Sequence, residues 1–289
     1  MHFLQVENLT HSYSVAEKNS KPAINNISFN LERGEILGII GHTGSGKSTL
    51  VSHLNGLLKP DSGRILLDGK DIWENPKDIS KVRAKIGLVF QYPEYQLFEE
   101  SVYKDIAFGP NNLGFSAEEI DKRIKGASEL LGISEELFQK SPFDLSGGQK
   151  RRVAIAGVVA MEPELIIFDE PTAGLDPEGR RAVLKSICEY RHNKNAAVII
   201  VSHSMEEMAK VCDKILVMNN GSLFSFGQTS EVFANVNKLK DIGLDVPIIT
   251  QVFLSLNEKY NLCAKNILTV EEAVKFLLPL ISKGGSLDD

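Results

Sequence analysis

Residues 35–50 read EILGIIGHTGSGKSTL and carry the strongest local signal of the chain. The first part of this stretch, ILGII at residues 36–40, is a short apolar run of the kind that forms a buried parallel strand. The residues that follow, GHTGSGKS, match the pattern G-x-x-x-x-G-K-[ST] at every fixed position. A helix is expected to begin near Gly46. The stretch therefore predicts a strand, a phosphate-binding loop and a helix in direct succession.

The residue types of this loop suit a nucleoside triphosphate. Glycines let the backbone fold back so that successive N–H groups point at one anion, and the helix N-terminus adds the positive end of its dipole. Lys47 can reach the β- and γ-phosphates, and the Ser48 hydroxyl can coordinate Mg²⁺. The alternative interpretation is a glycine-rich turn with an incidental lysine. The candidate nucleotide-binding residues here are Gly41, His42, Thr43, Gly44, Ser45, Gly46, Lys47, Ser48 and Thr49.

Composition places the chain among ordinary globular proteins. Its 289 residues are 43% apolar and 24% charged, enough for one large domain or two modest ones. The net charge of −6 argues against general attraction to DNA, RNA or anionic lipid. No secretory signal is expected, and no apolar run approaches the length of a membrane span. Cys188, Cys212 and Cys263 show neither metal-ligand spacing nor the even count of a disulfide framework.

The order of apolar runs predicts an α/β fold. Nearly all-apolar strands are expected at residues 165–168 and 197–201 with a helix over 178–191 between them, which indicates a parallel sheet covered on both faces. A first helix is expected over residues 48–58, ended by Lys59-Pro60. Further strands are expected at 3–9, 27–31, 64–67 and 85–90, and residues 214–226 read as a hairpin around Asn220-Gly221.

Two segments depart from this alternation. Between residues 92 and 157 helical patterns dominate, including 101–108, 116–131 and 134–139, so a helical insert is expected there. Beyond residue 240 nothing resembles nucleotide chemistry, and residues 246–260 and 269–281 read as amphipathic helices. We therefore divide the chain into a main domain, residues 1–240, and a C-terminal extension, residues 241–289, whose glycine-rich end is expected to be disordered.

A carboxylate pair ends the apolar run at residues 165–168. Ligands of α/β sheets bind at the carboxyl ends of parallel strands, which is where Asp169 and Glu170 would lie. Asp169 would hold Mg²⁺ beside Ser48, and Glu170 would orient and deprotonate the water that attacks the γ-phosphate. For an isolated Asp-Glu the plainer interpretation is a solvated surface turn.

The pentapeptide LSGGQ at residues 145–149 precedes another helical run, and its serine and glycines predict a second anion-binding helix N-terminus. With it the sequence resembles the ATP-binding-cassette (ABC) ATPases, whose signature this is. The phosphate loop, the signature, the strand with Asp-Glu and a later histidine occur in the family order, and the resemblance covers residues 3 to about 240. It implies an α/β P-loop NTPase fold with a RecA-like core, a β-subdomain and a helical insert.

The resemblance also implies a site shared between subunits. Ser146, Gly147, Gly148 and Gln149 would contact the γ-phosphate of ATP held by another subunit's phosphate loop. Two cassettes would then sandwich two nucleotides head to tail, and a single chain would be inactive.

The remaining motifs carry over by position. Gln91 matches the glutamine that contacts Mg²⁺ and the attacking water, and His203 matches the switch histidine of the γ-phosphate. Asp176, in AGLD at 173–176, matches the loop that crosses to the partner's site. Tyr13 occupies the place of the aromatic that stacks on adenine. Alone, Gln91 would read as a solvated loop residue, His203 as a structural histidine and Tyr13 as a cover for the core.

Longer strings narrow the resemblance. QYPEYQLFEESV at residues 91–102 and GQKRRVAIAG at 148–157 look like the ATPases of energy-coupling-factor (ECF) importers. Thr43 and the strings around 98–100 and 109–111 are most similar to the second of their two paired ATPases. The resemblance implies a paralogous ATPase partner (a homodimer being the other possibility), a transmembrane coupling subunit and a small substrate-binding membrane subunit. The chain would then act at the cytoplasmic face of the cell membrane in vitamin or metal-ion uptake.

Two other functions remain as alternatives. A soluble ABC ATPase acting on nucleic acid or ribosomes would predict a basic face or tandem cassettes, and neither is apparent, so no nucleic-acid partner is expected. A nucleotide-sensing module without hydrolysis would ordinarily lack Glu170 or His203.

Overall fold

The computed structural model describes residues 2–13, 21–260 and 267–282, which leaves Cys263 and the expected disordered end outside the described residues. The strands are β1 (Leu4–His11), β2 (Ile24–Leu31), β3 (Ile36–Ile40), β4 (Ser62–Leu67), β5 (Lys70–Asp71), β6 (Ile86–Val89), β7 (Leu165–Asp169), β8 (Ala197–Val201), β9 (Lys214–Asn219) and β10 (Ser222–Gln228). The helices are α1 (Lys47–Leu54), α2 (Ile79–Lys85), α3 (Val102–Asn112), α4 (Ala117–Leu130), α5 (Gly147–Val159), α6 (Pro177–Lys194), α7 (Met205–Val211), α8 (Thr229–Ala234), α9 (Val236–Asp241), α10 (Ile248–Tyr260) and α11 (Val270–Ser282).

These strands form two sheets. The larger has the order β10-β9-β3-β8-β7-β6, parallel throughout except for β10, which pairs antiparallel with β9 at one edge. The smaller has the order β2-β1-β4-β5 and is antiparallel. The expected α/β fold with a parallel central sheet is therefore confirmed. The carboxyl ends of β3, β7 and β8 lie along one edge of the larger sheet, because these strands run in the same direction.

Alternate residues of the central strands enter two different cores. On β3, Ile36 and Ile40 belong to the core that the helical insert covers, whereas Leu37 and Ile39 face the antiparallel sheet and α1. The same alternation runs along β7, β8 and β9. Both faces of the sheet are thus buried, which explains why these strands are apolar at nearly every position.

Serine caps begin the helices of the insert. Ser101, Ser116 and Ser146 accept hydrogen bonds from backbone N–H groups in the first turns of α3, α4 and α5. The predicted helix over 134–139 is wrong in type, since only a 3₁₀ turn at Glu135–Leu137 forms. The carbonyl of Phe138 accepts from the Tyr103 N–H at 3.0 Å, so the chain there closes the start of α3 instead of continuing as a helix.

Two other predicted boundaries need correction. α1 ends at Leu54 and not near residue 58, because Gly56 takes a left-handed conformation at φ 69° and ends the helical path. Between the strands expected at 64–67 and 85–90, the chain forms β5 and α2. α2 is only seven residues long, and its larger apolar residues are Ile79 and Val82, which are too few to establish a helical period.

The C-terminal extension packs onto the main domain. Leu244, Val246 and Leu268 belong to the same core as the α7 residue Met208. The Ile248 N–H donates to Glu206 Oε1 of α7 at 3.3 Å, and His42 Nε2 of the phosphate loop donates to the Ile242 carbonyl. Within the described residues, no helix combines the length and the apolar character needed to cross a bilayer.

Candidate nucleotide site

The phosphate loop connects β3 to α1 as expected. Gly46 stands at the N-cap of α1 with φ 102°, a conformation that disfavours any residue with a side chain. A Cβ on Gly41 would lie 2.4 Å from the Met218 carbonyl oxygen of β9, so that glycine is required by close packing. The loop backbone therefore depends on glycine at both ends.

The β9–β10 turn braces this loop. Asn220 and Gly221 have positive φ angles of 49° and 78°, as expected for the predicted Asn-Gly hairpin turn. The Gly221 N–H donates to the Ser45 carbonyl at 3.0 Å, and the Gly221 carbonyl accepts from Asn25 N–H at 2.7 Å. The hairpin was predictable from the local sequence, but its contact with the phosphate loop was not.

Lys47 lies across the loop with its side chain almost completely buried. Its Nζ donates to the carbonyls of Gly41 at 2.6 Å and His42 at 2.9 Å. Burial lowers the pKa of Lys47, and the carboxylates of Glu170 and Asp169 oppose that shift. The ammonium group therefore faces two acids across the site.

Asp169 and Glu170 stand at the carboxyl end of β7. The Glu170 N–H donates to the Val201 carbonyl of β8 at 2.9 Å, and its φ of 51° turns the chain sharply away from the strand. Burial raises the pKa of Asp169, against the effect of Lys47. Burial and the neighbouring Asp169 charge raise the pKa of Glu170 to about 7. Glu170 Oε1 is buried and has no hydrogen-bond partner.

His203 faces Glu170 from the loop after β8. Its Nε2 atom lies 3.4 Å from Glu170 Oε1, an ion-pair distance whenever the imidazole is protonated. Partial burial and the positive charge of Lys47 lower the pKa of His203. The neutral ring is therefore the favoured form near neutral pH, and it can exchange a hydrogen bond with a ligand.

These side chains share one cavity of about 560 Å³. That volume is in the range of small-molecule sites. The residues that line it are Tyr13, Ala23, Thr43, Gly44, Gly46, Lys47, Ser48, Thr49, Gln91, Asp169, Glu170 and His203. Most of the sequence-predicted loop positions thus meet the carboxylate, glutamine and histidine positions in one place. The predicted loop residues Gly41, His42 and Ser45 do not line the cavity.

Tyr13 stands at one side of this cavity with its ring 67% exposed. Its hydroxyl lies 3.2 Å from Thr49 Oγ1, and the ring packs edge-on against His11 at 5.0 Å between centroids. His11 in turn contacts the ring of His53 at 4.6 Å. Sequence reasoning missed both histidines, because their approach depends on packing between β1 and α1.

The signature residues do not line this cavity. Ser146 Oγ accepts from Gln149 N–H, and Gln149 Oε1 accepts from Ser146 N–H at 2.9 Å, which forms a capping box at the start of α5. A Cβ on Gly147 or Gly148 would meet no atom within 4 Å. Gly148 and Asp176 instead line a second cavity of about 510 Å³, where Asp176 Oδ1 accepts from Gly179 N–H at 2.7 Å.

The family model described as "ABC transporter" matches residues 24–173. The chain belongs to the ABC transporter ATPases. It is 52% identical to an energy-coupling factor transporter ATP-binding protein EcfA2 of Clostridium tetani, over 96% of this chain and 97% of that protein. An EcfA2 protein of Clostridium perfringens is 51% identical, over 96% and 98%.

Solved structures agree with this family. The structure of cbiO1 from Clostridium perfringens, titled as part of the ABC transporter complex cbiONQ, matches with a TM-score of 0.75 and 42% identity, covering 88% of this chain and 99% of that one. A dimeric post-hydrolysis structure of the ATP-binding cassette MJ0796 bound to ADP and Pi matches with a TM-score of 0.70 and 26% identity, covering 78% and 98%. This ABC ATPase therefore binds and hydrolyses ATP.

A groove of about 660 Å³ separates the helical insert of this ABC ATPase from β6 and α2. Among its walls are Phe98 and Phe108, whose rings pack edge to face at 4.9 Å and are 58% and 44% exposed. Asp105 also lines it and accepts from the N–H groups of Phe98 and Glu99 at 3.3 and 3.2 Å. Burial raises the pKa of Asp105.

Proposed function

We propose that this ABC ATPase is the ATP-binding subunit of an ECF-type importer that takes up a vitamin or a metal ion. The observation that supports a subunit working in a pair is that the phosphate cavity and the signature are apart. The phosphate cavity is lined by Lys47, Glu170 and His203, whereas Gly148 of the signature lines a different cavity. The names and near full-length identity of the EcfA2 relatives support the transporter class.

Each proposed catalytic role rests on position in the cavity. Lys47 would neutralise charge on the β- and γ-phosphates, and neutral His203 would hydrogen-bond the γ-phosphate. Glu170 would accept a proton from the attacking water, for which a pKa of about 7 is well matched to neutral pH. Gln91 would help to orient that water. Tyr13 would stack on adenine at the open side of the cavity.

The residues around Asp169 fit a Mg²⁺ ion shared with the nucleotide. Ser48, Gln91 and Asp169 line one cavity, and they supply the oxygen ligands that Mg²⁺ prefers. Among the described residues, no group of three or more His, Cys, Asp and Glu could hold a metal alone, so phosphate oxygens would complete the coordination. When bound, the ion would offset the negative charge that develops on the phosphates.

We propose that the signature completes the site of a neighbouring cassette. Ser146 and the N–H groups of Gly147 and Gly148 begin α5, where the dipole favours an anion. Among the described residues, no atom beyond the adjoining helix backbone lies within 4 Å of a Cβ built on either glycine, which leaves room for a phosphate. Asp176, beside Gly148, would lie at the same junction.

The groove beside Phe98 is the proposed docking surface for a membrane subunit. It presents exposed aromatic rings, and the acidic residues Glu99 and Glu100 directly follow Phe98 in the chain. The Asp105 carboxylate is buried there and holds the Phe98 and Glu99 N–H groups in place. An apolar helix that carries an arginine would fit this combination. Docking there would place the chain at the cytoplasmic face of the membrane, held by a transmembrane coupling subunit and a substrate-binding subunit.

Purification from native membranes tests the assignment. The tagged chain is expected to bring down a second cassette ATPase and two integral membrane proteins. Recovery of ribosomal or nucleic-acid-binding partners in their place would refute the transporter role.

Replacing Phe98 with Glu is expected to reduce recovery of the membrane subunits by about tenfold or more, because a charge would replace an aromatic anchor. The thermal midpoint of the free protein should change little, since Phe98 is 58% exposed. Phe224→Glu is the matched control, because Phe224 is 40% exposed on β10, outside the groove. Equal recovery from the two variants would contradict the docking site.

We also propose that the C-terminal extension joins two ATPases. α10 and α11 leave apolar side chains exposed, including Val252 at 45% and Val274 at 48%. Lysine at both positions is expected to weaken association of the ATPase pair by about tenfold, because apolar contact area would be lost. Sedimentation would measure this, with Leu57→Lys as the control on the main domain. Unchanged association would leave the extension a stabilising appendage.

A further inference from the structure

Arg151, in the first turns of α5, is 3% exposed and makes contacts with two other segments of the chain. Its Nε donates to Glu94 Oε2 at 3.0 Å, and one terminal nitrogen donates to Glu94 Oε1 at 2.7 Å. Another terminal nitrogen donates to the Ala173 carbonyl. The guanidinium carbon lies 5.7 Å from the centre of the Tyr92 ring. A buried cation with this many partners is fully paired.

Each of these segments belongs to a different part of the catalytic unit. Glu94 and Tyr92 lie in the docking segment, residues 92–98, which directly follows Gln91 of the phosphate cavity. Ala173 begins the loop that leads to Asp176 at the second cavity. Arg151 itself lies five residues after Ser146 on the signature helix. The Arg151 guanidinium thus connects the docking segment, which follows Gln91 of the phosphate cavity, with the signature helix and with the loop that leads to Asp176.

Glu94 and Tyr92, two of the partners of Arg151, are held in fixed positions. Burial alone would raise the pKa of Glu94, but its hydrogen bonds from Arg151 prevail, and the pKa is lowered. Tyr92 has a left-handed backbone at φ 55°, which is costly for an aromatic residue and persists only where the surroundings enforce it. Its ring lies close to the loop residue Gly174 as well, since a Cβ built there would be 3.9 Å from Tyr92 Cε1.

We propose that Arg151 is a positioning residue that makes the docking segment, the signature helix and the 173–176 loop move as one body. A displacement of the docking segment then moves Ser146 and Asp176 together against the partner's nucleotide. Only a planar group with several donors can satisfy a bidentate carboxylate and a carbonyl at once, so lysine cannot replace it. The claim that docking moves Ser146 and Asp176 rests on the proposed function. The claim that Arg151 connects the three segments rigidly does not.

The matched control is Arg123 on α4. It has the same kinds of partner: Glu119 Oε1 at 2.7 Å, the Met161 carbonyl at 3.2 Å and the Phe115 ring at 4.1 Å. None of these partners lines either the phosphate cavity or the signature cavity, although Met161, which Arg123 contacts through its backbone carbonyl, also lines the docking groove. Arg123→Lys therefore removes an arginine anchor of the same chemistry without touching the nucleotide loops.

The first measurement is hydrogen exchange on the purified ATPase pair, which needs no membrane subunit. Arg151→Lys is expected to increase exchange at both residues 92–98 and 173–176, and Arg123→Lys at neither. Glu94→Gln should resemble Arg151→Lys, and the double variant should add little to either single change, because both remove one interaction. Unchanged exchange at 173–176 in Arg151→Lys would overturn the rigid connection.

The second measurement uses the complete complex in proteoliposomes. Arg151→Lys is expected to lower kcat for ATP by about tenfold with KM for ATP unchanged, and to raise the ATP consumed per molecule transported. Arg123→Lys should lower the thermal midpoint without altering that ratio. If Arg151→Lys changes only the thermal midpoint, the residue is a structural anchor and the proposal fails. A different result would separate the two claims. If hydrogen exchange in Arg151→Lys increases as expected but no membrane subunit stimulates the wild-type ATPase, the rigid connection stands and the proposed function fails.

Discussion

Replacing Glu170 with Gln is expected to slow ATP hydrolysis by about a hundredfold or more, because an amide cannot accept the proton of the attacking water. ATP binding should be retained, since Lys47 and Tyr13 keep their places in the cavity. The variant should therefore accumulate as a closed pair with ATP bound. Single-turnover hydrolysis and sedimentation with ATP measure the two effects. Wild-type turnover in the altered site would refute the role of Glu170 as base.

The same variant also has an effect that does not depend on catalysis. The pKa of Glu170 is raised from 4.5 to about 7, so the folded state holds this proton more tightly than the unfolded state. Protonated Glu170 therefore contributes to the free energy of unfolding. This contribution is fully present below the pKa of the unfolded chain, 4.5, and is lost as the pH rises through the folded-state pKa of about 7. Glutamine does not titrate. The thermal midpoint of Glu170→Gln should therefore exceed that of wild type more at about pH 8.5 than at about pH 5. A difference independent of pH would contradict the burial of this carboxyl.

Replacing Gly148 with Asp is expected to reduce hydrolysis by about a hundredfold or more, because the carboxylate would repel the partner's γ-phosphate at the start of α5. The fold should persist, since a Cβ at Gly148 meets nothing within 4 Å. ATP binding to the separate chain should be unchanged, because Gly148 does not line the phosphate cavity. Binding by a fluorescent ATP analogue and steady-state hydrolysis separate the two effects.

Gly126→Asp is the control for this substitution. Gly126 is an exposed residue of α4, and a Cβ there also meets nothing within 4 Å. The Gly126→Asp variant should hydrolyse ATP at the wild-type rate. If the chain pairs with itself, a second comparison mixes Gly148→Asp chains with Glu170→Gln chains, because one composite site of such a homodimer contains neither change. Full hydrolysis by strictly monomeric wild-type protein would contradict the shared site.

Local sequence was sufficient for the features whose residues are adjacent in the chain. The phosphate loop, the Asp169-Glu170 pair and the Asn220-Gly221 turn each depend on a few consecutive residues, and each lies where the pattern predicts. The parallel direction of the central sheet was also predicted, because buried parallel strands are apolar at nearly every position, but the order of the strands was not.

Other features depend on contacts between distant segments, and the sequence carries no local signal for them. Arg151 follows the signature as one basic residue among three, and nothing in that string indicates which of them is buried. The segment expected to be a helix over 134–139 forms only a 3₁₀ turn, and its Phe138 carbonyl accepts from the Tyr103 N–H of α3. α2 was not predicted because its seven residues hold only two larger apolar side chains, Ile79 and Val82. In these segments tertiary packing determines the structure, and intrinsic helix propensity does not.

The hydrogen bond from the hairpin turn to Ser45 has a consequence for the thermodynamics of nucleotide capture. Gly221 donates to the Ser45 carbonyl and is itself held by the Asn25 N–H, so this part of the loop is already fixed when the chain folds. The loop therefore loses little conformational entropy when a triphosphate binds. Its affinity for the triphosphate is not reduced by the free energy that ordering a mobile loop would cost. The free energy of binding is then available for the closure of two cassettes on one another.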